Sequence, residues 1–211
     1  MKALCVSDKV VDFLYDPAVV TKAGDVNIIF SCGDLPYYYL EYLLTVLNVP
    51  LYYVHGNHDP QVEYTPGGEG MTGPGGGVDL DTKVVEVNGL IVAGLQGSIR
   101  YKQEGSFQHT QFEMWLKVLR MVPRLFYNRI FKGRALDVLI THAPPLNIHN
   151  GNDYVHQGFA SFLWLMRKFK PRYLLHGHHH VYSHTEQTVT CYYQTIVNNV
   201  YPYKILNLNL D

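Results

Sequence analysis

Short runs of apolar residues recur along the chain, and each ends beside residues whose side chains can bind a metal ion. Runs rich in β-branched, aliphatic and aromatic residues, closed by glycine and polar residues, are typical of buried strands. The runs and the residues that follow them are Ala3–Ser7 before Asp8, Val26–Ser31 before Gly33-Asp34, Leu51–Val54 before Gly56-Asn57-His58-Asp59, Asp137–Thr141 before His142, and Tyr173–Leu175 before His176-Gly177-His178-His179-His180.

Longer stretches between these predicted strands have the spacing of helices. Tyr37–Leu47 follows Pro36, and proline is favoured in the first turn of a helix. Phe159–Phe169 is apolar on one face. The amphipathic stretch Gln111–Arg129 predicts a helix with a kink near Pro123, because proline removes a backbone donor.

Further strands are predicted around a turn and near the end of the chain. Asn88-Gly89, a dipeptide typical of two-residue hairpin turns, separates Lys83–Val87 from Leu90–Leu95. Thr188–Val197 and Tyr203–Leu210 are predicted as two late strands. Strands that alternate with helices and are followed by hairpins predict a mixed α/β fold with two sheets.

Composition limits the class of protein. The 211 residues predict one domain over residues 1–211, and 47% hydrophobic against 17% charged residues is typical of a globular chain. A net charge of −1 provides no overall field for nucleic acid or an anionic membrane. No apolar run reaches the roughly 18 residues of a membrane span, and no signal peptide precedes the first strand. Three cysteines without a C-x-x-C pair favour reduced thiols. We therefore expect a cytoplasmic protein with neither membrane nor nucleic acid as a partner.

The polar residues that follow the predicted strands point to a metal centre. Ligands of α/β sheets collect outside the carboxyl ends of the strands, where five strands here deliver Asp, Asn or His. Carboxylates and imidazoles without thiolates suit Mn, Fe, Zn, Co or Ni better than a structural zinc finger. The candidates outnumber the ligands that one ion needs, so we expect two divalent ions, with Mn favoured. Two such ions suit the hydrolysis of phosphate esters.

The ordered motifs resemble those of a known family. Asp8, Gly33-Asp34, Gly56-Asn57-His58-Asp59, His142 and Gly177-His178-His179-His180 follow the signature of the calcineurin-like metallophosphoesterases and span residues 8 to 180. The resemblance implies a four-layer αββα sandwich of two mixed sheets between helices. It also implies two groups of ligands that share a bridging Asp34: Asn57, His142 and His178 for one ion, and Asp8 and His180 for the other.

The resemblance implies a mechanism as well. A metal-bridging hydroxide would attack phosphorus in line, and His58 would act as general acid on the leaving group, with Asp59 orienting the His58 ring. His178 and His180 are two residues apart, so on extended backbone their side chains would point the same way. His179 is then expected to be a polar surface residue, and His176 to be packed or to support the ligands.

The first motif departs from the family pattern. The family has Asp-x-His, whereas this chain has Asp8-Lys9-Val10, and the valine side chain cannot bind a metal. Three consequences are open: water fills the gap and the ion binds weakly, Asp12 or another side chain substitutes, or one metal binds and the protein is a poor enzyme. We favour weaker binding with activity retained. The rival hypothesis is a catalytically silent scaffold on the same fold that binds phosphate or metal.

Residues that contact the substrate are harder to predict. Arg100 could bind a phosphate or be solvated, and His156, in the loop Ala143–Gly158, could contact substrate or be an ordinary loop residue. The glycine-rich loop Pro66–Gly77 is predicted to be mobile, and Tyr37-Tyr38-Tyr39 to pack as helix aromatics rather than stack on a base. The basic residues Arg120, Arg124, Arg129, Lys132 and Arg134 are interpreted as a solvated face. The expected substrate is a small phosphorylated molecule, nucleotides included, with a slight preference for diesters; homo-oligomer formation is left open.

Overall fold

Two large mixed β-sheets lie face to face between layers of helices in the computed structural model, which describes residues 1–65, 67–151, 153–183 and 185–209. The strands are β1 (Lys2–Val6), β2 (Ile28–Ser31), β3 (Leu51–Tyr53), β4 (Glu63–Tyr64), β5 (Gly70–Met71), β6 (Val78–Asp79), β7 (Val84–Val87), β8 (Leu90–Leu95), β9 (Ser98–Ile99), β10 (Gln108–His109), β11 (Val138–Thr141), β12 (Tyr173–His176), β13 (Val189–Tyr192), β14 (Thr195–Asn199) and β15 (Tyr203–Asn207). The helices are α1 (Val19–Ala23), α2 (Tyr37–Leu47), α3 (Gln111–Lys132) and α4 (Ala160–Phe169).

Both large sheets are mainly parallel at their centres. The five-stranded sheet has the order β15-β1-β2-β3-β6, with β1, β2, β3 and β6 parallel and β15 antiparallel to β1. The six-stranded sheet has the order β13-β14-β12-β11-β8-β7, with β14, β12, β11 and β8 parallel. Parallel strands direct their carboxyl ends to one edge of each sheet.

The side chains of each central strand alternate between the two faces of its sheet, so that one face packs against the other sheet and the opposite face packs against helices. On β1, Cys5 faces the second sheet and shares a buried cluster with Val138 and Leu175, whereas its neighbour Leu4 packs against Leu43 of α2. Successive side chains of a strand point to opposite faces. Each central strand therefore contributes to the core between the sheets and to the core beneath the helices.

The outer face of the six-stranded sheet is covered in the same way. Leu139 of β11 and Leu174 of β12 pack against Val118 of α3 and Phe162 of α4. The predicted mixed α/β fold with two sheets is therefore confirmed, as is the four-layer sandwich that the resemblance implies.

The elements differ from the predictions at several boundaries. The predicted single strand Thr188–Val197 is wrong: it is a hairpin in which β13 and β14 pair antiparallel, and Tyr192 lies opposite Thr195. The turn lacks glycine, and Tyr193 itself takes the left-handed conformation with φ 53°, so the apolar run gave no sign of a break. The hairpin at Asn88-Gly89 is confirmed by positive φ angles of 49° and 80°.

The helices are close to their predicted positions. Tyr37–Leu47 is confirmed, and α4 begins one residue later than predicted because Phe159 is its N-cap. Helix α3 continues through Pro123 to Lys132 instead of ending at Arg129, and it begins with a capping box between Thr110 and Glu113.

The remaining predictions concern loops and the chain end. Strand β15 ends at Asn207, and Leu210, the predicted end of that strand, lies outside the described residues. Within the predicted loop Pro66–Gly77, β5 pairs with β4, and Pro66 is also outside the described residues. Among the residues that the structure describes, no helix is long and apolar enough to cross a membrane.

Candidate metal centre

The predicted ligands lie where the two sheets meet at their carboxyl edge. Asp8, Asp34 and Asn57 follow β1, β2 and β3 of the five-stranded sheet, and His142 and His178 follow β11 and β12 of the six-stranded sheet. The ligands are distant in sequence, and they lie close together because the carboxyl ends of these strands converge, as predicted.

Four of these side chains meet around one nitrogen atom. Nε2 of His142 lies 3.0 Å from Oδ1 of Asn57, 3.2 Å from Oδ2 of Asp34 and 3.1 Å from Nδ1 of His178. Atoms that are each about 2.1 Å from a common ion lie about 3.0 to 3.4 Å from one another. The observed separations therefore match a set of metal ligands, and Asp34, His142 and His178 form a compact group with potential ligand atoms within 4.8 Å.

The hydrogen bonds at the far sides of the two imidazoles fix which nitrogens face the cluster. Nδ1 of His142 lies 2.7 Å from the carbonyl of Cys32, and Nε2 of His178 lies 3.0 Å from the carbonyl of Val155. A carbonyl only accepts, so both of these nitrogens donate. Such bonds to backbone carbonyls are typical of metal-ligating histidines, because they leave the other nitrogen free to bind.

Without a cation, the cluster has more acceptors than protons. A proton on Nε2 of His142 would be the only hydrogen shared among the oxygens of Asn57 and Asp34 and the nitrogen of His178. Two of the three acceptors would then face Nε2 without a hydrogen directed at them in a buried site, which is unfavourable. A divalent cation would satisfy all four atoms at once, so the residues fit the metal that the sequence predicts.

The titration properties of the buried groups reflect the same crowding. Burial lowers the pKa of His142, but the charge and hydrogen bond of Asp34 raise it by more, to about 9. Burial raises the pKa of Asp34, but His142 and the backbone N–H of His58 lower it by more, to about 2. Burial, followed by the charge of His142, lowers the pKa of His178 to about 3. A proton on His142 thus stands where a cation would bind.

Asp8 and His180 form a second, looser group beside this cluster. Nε2 of His180 lies 3.6 Å from Oδ1 of Asp8, and that carboxylate also accepts the backbone N–H of His178 at 3.0 Å. The His180 ring stacks on Tyr201, with centroids 4.5 Å apart and planes at 15°, and its Nδ1 lies 3.0 Å from the hydroxyl of Tyr182. These two contacts orient the His180 ring so that its Nε2 faces Asp8.

The backbone around the ligands is left-handed rather than extended. His178, Asp8 and Asp34 have φ angles of 64°, 64° and 58°. The prediction that His178 and His180 point the same way along extended backbone is therefore wrong, and their side chains belong to the two different groups. Non-glycine residues rarely adopt this conformation, and its presence at three ligands is typical of a functional site.

Two glycines permit the close approach of the ligand loops. A Cβ atom at Gly177 would lie 1.8 Å from Oγ of Ser7 and 2.3 Å from Oδ2 of Asp8. A Cβ atom at Gly56 would lie 2.0 Å from Oδ1 of Asp34. Gly56 and Gly177 therefore allow the ligand loops to approach each other closely, because neither has a side chain.

Val10 occupies the position of the missing histidine without polar contacts. Its side chain packs against the buried cluster beneath α1 and α2. Asp12, the predicted alternative ligand, is exposed, and among the described residues it makes no side-chain hydrogen bond to Asp8 or His180. In the described part of the chain, neither Val10 nor Asp12 therefore adds a ligand to the pair of Asp8 and His180.

Asp59 has a different set of partners from the one predicted. Its Oδ2 accepts the backbone N–H groups of Gly56 at 2.8 Å and Asp34 at 3.1 Å, and Nδ1 of His55 lies 3.7 Å away. No hydrogen bond joins it to the His58 ring among the described residues. Asp59 instead connects the loop that contains Asp34 to the loop that contains Gly56. His58 itself is exposed, and its backbone N–H donates to Oδ1 of Asp34 at 2.7 Å.

The two predicted substrate contacts have different surroundings. The guanidinium of Arg100 donates to Glu113 at 3.0 Å and to the carbonyl of Gln108 at 3.2 Å, so it is already occupied. The ring of His156 lies 5.1 Å from that of His178 and pairs with Asp153 at 2.6 Å. The structure thus brings His156, and not the guanidinium of Arg100, against a ligand.

His176 and His179, which flank His178 in the last motif, also contact other side chains. Nε2 of His176 lies 3.0 Å from Nδ1 of His149, and His176 is fully buried. Burial, then the charge of His149, lowers the pKa of His176 well below its usual value. His179 is paired with Glu186 rather than free on the surface.

One supporting residue was not predicted. The side-chain amide of Asn57 donates to the hydroxyl of Tyr101 at 3.1 Å, which turns Oδ1 towards His142. Tyr101 is distant in sequence from Asn57 and belongs to no motif, so only the folded structure reveals it.

An open cleft of about 500 Å³ adjoins the second group. Its lining in the described part of the chain consists of Gly151, Asp153, His156, His179, His180, Tyr182 and Glu186, and includes neither Lys nor Arg. Any positive charge that met an anionic substrate on this wall would therefore come from bound metal ions or protonated imidazoles.

A two-sheet α/β fold that directs Asp, Asn and His side chains from both sheets into one cluster defines a class of metal-binding α/β proteins. Within that class, the chain belongs to the calcineurin-like phosphoesterase family, whose model matches residues 6–182. The predicted family is confirmed. This family depends on metal ions, which agrees with the cluster around His142.

The chain is similar to several solved structures at low sequence identity. TT1561 of Thermus thermophilus is 12% identical, with a TM-score of 0.61 over 99% of each chain. The phosphopantetheinyl hydrolase PptH from Mycobacterium tuberculosis is 14% identical, with a TM-score of 0.47 over 94% of this chain and 88% of that one. Vacuolar Protein Sorting 29 from Cryptosporidium parvum is 14% identical, with a TM-score of 0.44 over 94% and 72%. No curated protein matches the chain.

Proposed function

We propose that the protein is a divalent-metal-dependent hydrolase of phosphate esters. The observation that carries the proposal is the convergence of Asn57, Asp34 and His178 on Nε2 of His142, where one proton cannot satisfy three acceptors. Divalent ions held there would neutralise phosphate oxygens and lower the pKa of bound water, which is the chemistry that hydrolysis of phosphate esters requires.

The two groups of ligands are proposed to differ in affinity. Asp34, Asn57, His142 and His178 would supply four ligand atoms to one ion, whereas Asp8, His180 and a bridging Asp34 would supply three to the other, because Val10 adds none. The mixture of carboxylate, amide and imidazole favours Mn, with Fe, Zn, Co and Ni as alternatives. We expect the second ion to bind more weakly.

His58 is proposed to be the general acid. Its backbone is tied to Asp34 and its side chain is exposed, so the imidazole can reach a substrate bound beside the ligands and give a proton to the leaving oxygen. His156, which lines the cleft, is proposed to contact the substrate. Arg100 would first have to leave Glu113.

A small phosphodiester is the substrate class that we favour. The cleft is open, and the carboxylates of Asp153 and Glu186 lie in its wall. A diester has one negative charge, so it meets less repulsion from these carboxylates than the dianion of a monoester does. Nucleotide diesters belong to this class. The buried free thiols of Cys5 and Cys32 support a cytoplasmic location.

Turnover of bis(p-nitrophenyl) phosphate and p-nitrophenyl phosphate with Mn²⁺ tests the proposal. We expect Mn²⁺-dependent turnover that is faster with the diester. His142→Ala should lose both bound metal and turnover. His58→Ala should keep its metal and lose roughly 10²-fold or more in turnover, as is typical of a lost general acid. Tyr193→Ala, at an exposed position of the β13–β14 turn, is the control that should change neither property.

The alternative function is a silent scaffold that binds metal or phosphate. Val10 favours it, because one group of ligands lacks a member. Metal binding by the wild type without turnover above that of His58→Ala would support the scaffold and overturn the enzymatic proposal.

A further inference from the structure

Helix α3 is apolar on two opposite faces. Its inner face, with Met114, Val118, Met121 and Leu125, is buried against the six-stranded sheet. Its outer face also has large apolar side chains, which we call the α3 stripe: Phe112, Leu116, Leu119, Phe126, Tyr127 and Ile130. A helix at a protein surface normally has polar residues on the face that meets water. Packing within this chain therefore leaves the outer stripe partly uncovered, with 38% to 72% of each side chain accessible.

The members of the α3 stripe form a continuous row. Because a helix turns about 100° per residue, they fall within an arc of about 100°, and the exposed Pro123 lies in the same arc. From Phe112 to Ile130 the row is about 27 Å long at about 1.5 Å per residue. The ends of the row are the most exposed, with 69% of Phe112 and 72% of Ile130 accessible. Exposed apolar patches of this extent are typical of interaction surfaces.

Positive charge flanks the α3 stripe. Between residues 111 and 134 the only carboxylate is Glu113, against six basic residues: Lys117, Arg120, Arg124, Arg129, Lys132 and Arg134. Glu113, Lys117, Lys132 and Arg134 are engaged in ion pairs. Among the described residues, Arg120, Arg124 and Arg129 have no carboxylate partner.

The end of helix α4 adds further exposed cations, of which Lys168 lies beside the stripe. Arg167, Lys168 and Lys170 are exposed at its end, and Nζ of Lys168 lies 5.8 Å from the centre of the Phe126 ring. On the other flank, the guanidinium of Arg124 lies 5.1 Å from the centre of the Tyr127 ring. Cations thus lie directly beside the aromatic members of the stripe, although the whole chain has a net charge of −1.

We propose that the α3 stripe docks on an anionic lipid membrane surface. A helix that lies in the plane of a membrane inserts its aromatic and aliphatic side chains among the lipid chains, while flanking Lys and Arg residues bind the anionic headgroups. Both parts of this arrangement are present here. The proposal departs from the expectation of no membrane partner, which rested on the net charge; the local distribution of charge is what differs.

A second copy of the chain fits the same surface less well. Two stripes in contact would bring Arg120, Arg124 and Arg129 of each copy together, and like charges at an interface are costly. The α3 stripe also lies on the outer layer of the sandwich, whereas the metal centre lies at the edge of the sheets. Docking through the stripe would therefore leave the metal centre uncovered, so the proposal is independent of the catalytic one.

Sedimentation with lipid vesicles tests the proposal on the full chain. We expect the protein to bind vesicles made of equal parts of phosphatidylcholine and phosphatidylglycerol, and to bind vesicles of phosphatidylcholine alone at least ten-fold more weakly. Ile130→Glu places a charge within the inserted surface and should lower partition into the mixed vesicles ten-fold or more. Arg124→Glu should lower it about ten-fold or more, because each basic residue near an anionic surface strengthens binding about five-fold.

The matched control is Val20→Glu. Val20 is also an exposed aliphatic residue on a helix, 52% accessible, but it lies on α1 in the opposite outer layer, so this variant should bind vesicles like the wild type. Equal binding by Ile130→Glu and Val20→Glu would overturn the proposal. So would equal affinity for charged and uncharged vesicles. A dimer that Ile130→Glu dissociates, in a protein that binds no vesicles, would overturn it in favour of a second copy as the occupant.

Discussion

The side-chain amide of Asn57 donates a hydrogen bond to the hydroxyl of Tyr101, 3.1 Å away. This bond fixes which end of the amide faces the cluster, because Nδ2 is used by Tyr101 and Oδ1 then lies 3.0 Å from Nε2 of His142. An amide binds a metal through its oxygen. Tyr101 is therefore a positioning residue for the metal centre.

Tyr101→Phe removes this bond and keeps the ring. We expect the affinity for Mn²⁺ to fall about ten-fold or more, as is typical when a residue that orients a metal ligand is lost. Titration calorimetry of metal-free protein with Mn²⁺ measures the change. Tyr193→Phe, which removes the hydroxyl of an exposed tyrosine elsewhere, is the control. If both variants bind Mn²⁺ like the wild type, Asn57 does not depend on Tyr101 for its orientation.

The positions of the ligands followed from the sequence because they depend on local order. A ligand that comes directly after a buried strand must lie at the carboxyl edge of a sheet, wherever that strand pairs, so Asp8, Asp34 and His142 could be predicted without knowing the strand order. The left-handed backbone of Asp8 and Asp34 could not be predicted, because it results from loops that meet across the two sheets.

The partners of the polar side chains were less predictable. Arg100 is hydrogen-bonded to Glu113, and Asp59 accepts the backbone N–H groups of Gly56 and Asp34. These bonds depend on distances between segments, which the pattern of strands does not give. The second, exposed apolar face of α3 was missed for a related reason. Its periodicity predicted an amphipathic helix, but only the packed structure separates the buried apolar face from the exposed one.

Replacement of Val10 tests the incomplete group of ligands. Val10→His would supply the family's missing imidazole beside Asp8 and His180, so metal content after Mn²⁺ loading and desalting should rise from about one ion per chain towards two. Because Val10 is partly buried, we expect a loss of about 1 kcal/mol in the free energy of unfolding. Plasma mass spectrometry on untagged protein measures the stoichiometry.

Val10→Leu is the control for that experiment, since leucine fills the same apolar space and binds no metal. It should keep the metal content of the wild type. A wild-type protein that already retains two ions would show that the second group is complete without an imidazole at this position, and Val10→His should then have no effect on stoichiometry.

Gly177→Ala tests the close approach of the ligand loops. The added Cβ would lie 1.8 Å from Ser7 and 2.3 Å from the carboxylate of Asp8, so the loops must separate. We expect Mn²⁺ content and Mn²⁺-dependent turnover to fall ten-fold or more. Gly89→Ala is the matched control, because its φ is positive, at 80°, and a Cβ added there meets no other atom within 4 Å. It should cost about 1 kcal/mol of stability and leave metal binding unchanged. Similar losses of metal in both variants would mean that destabilisation, and not the displaced Asp8, is the cause.

The pair of Asp34 and His142 predicts how the stability of metal-free protein depends on pH. The pKa of His142 is raised from 6.5 to about 9, so the protonated form stabilises the fold fully below about pH 6.5, and this contribution is lost as the pH rises through 9. The pKa of Asp34 is lowered from 3.8 to about 2, so its contribution is present above pH 3.8 and is lost as the pH falls through 2. Both shifts describe one interaction, and the contribution of this pair to stability should be greatest between about pH 4 and 6.5.

Thermal unfolding of metal-free protein from pH 6 to 10, compared with His142→Gln, isolates this contribution. The wild type should lose on the order of 3 kcal/mol relative to the variant across that range, since one pKa unit corresponds to about 1.4 kcal/mol. The cation replaces the proton on His142, so Mn²⁺ affinity should rise with pH up to about 9 and the metal-loaded protein should not show the alkaline loss. Parallel pH profiles for metal-free wild type and His142→Gln would mean that His142 does not hold a proton against Asp34 in the absence of metal.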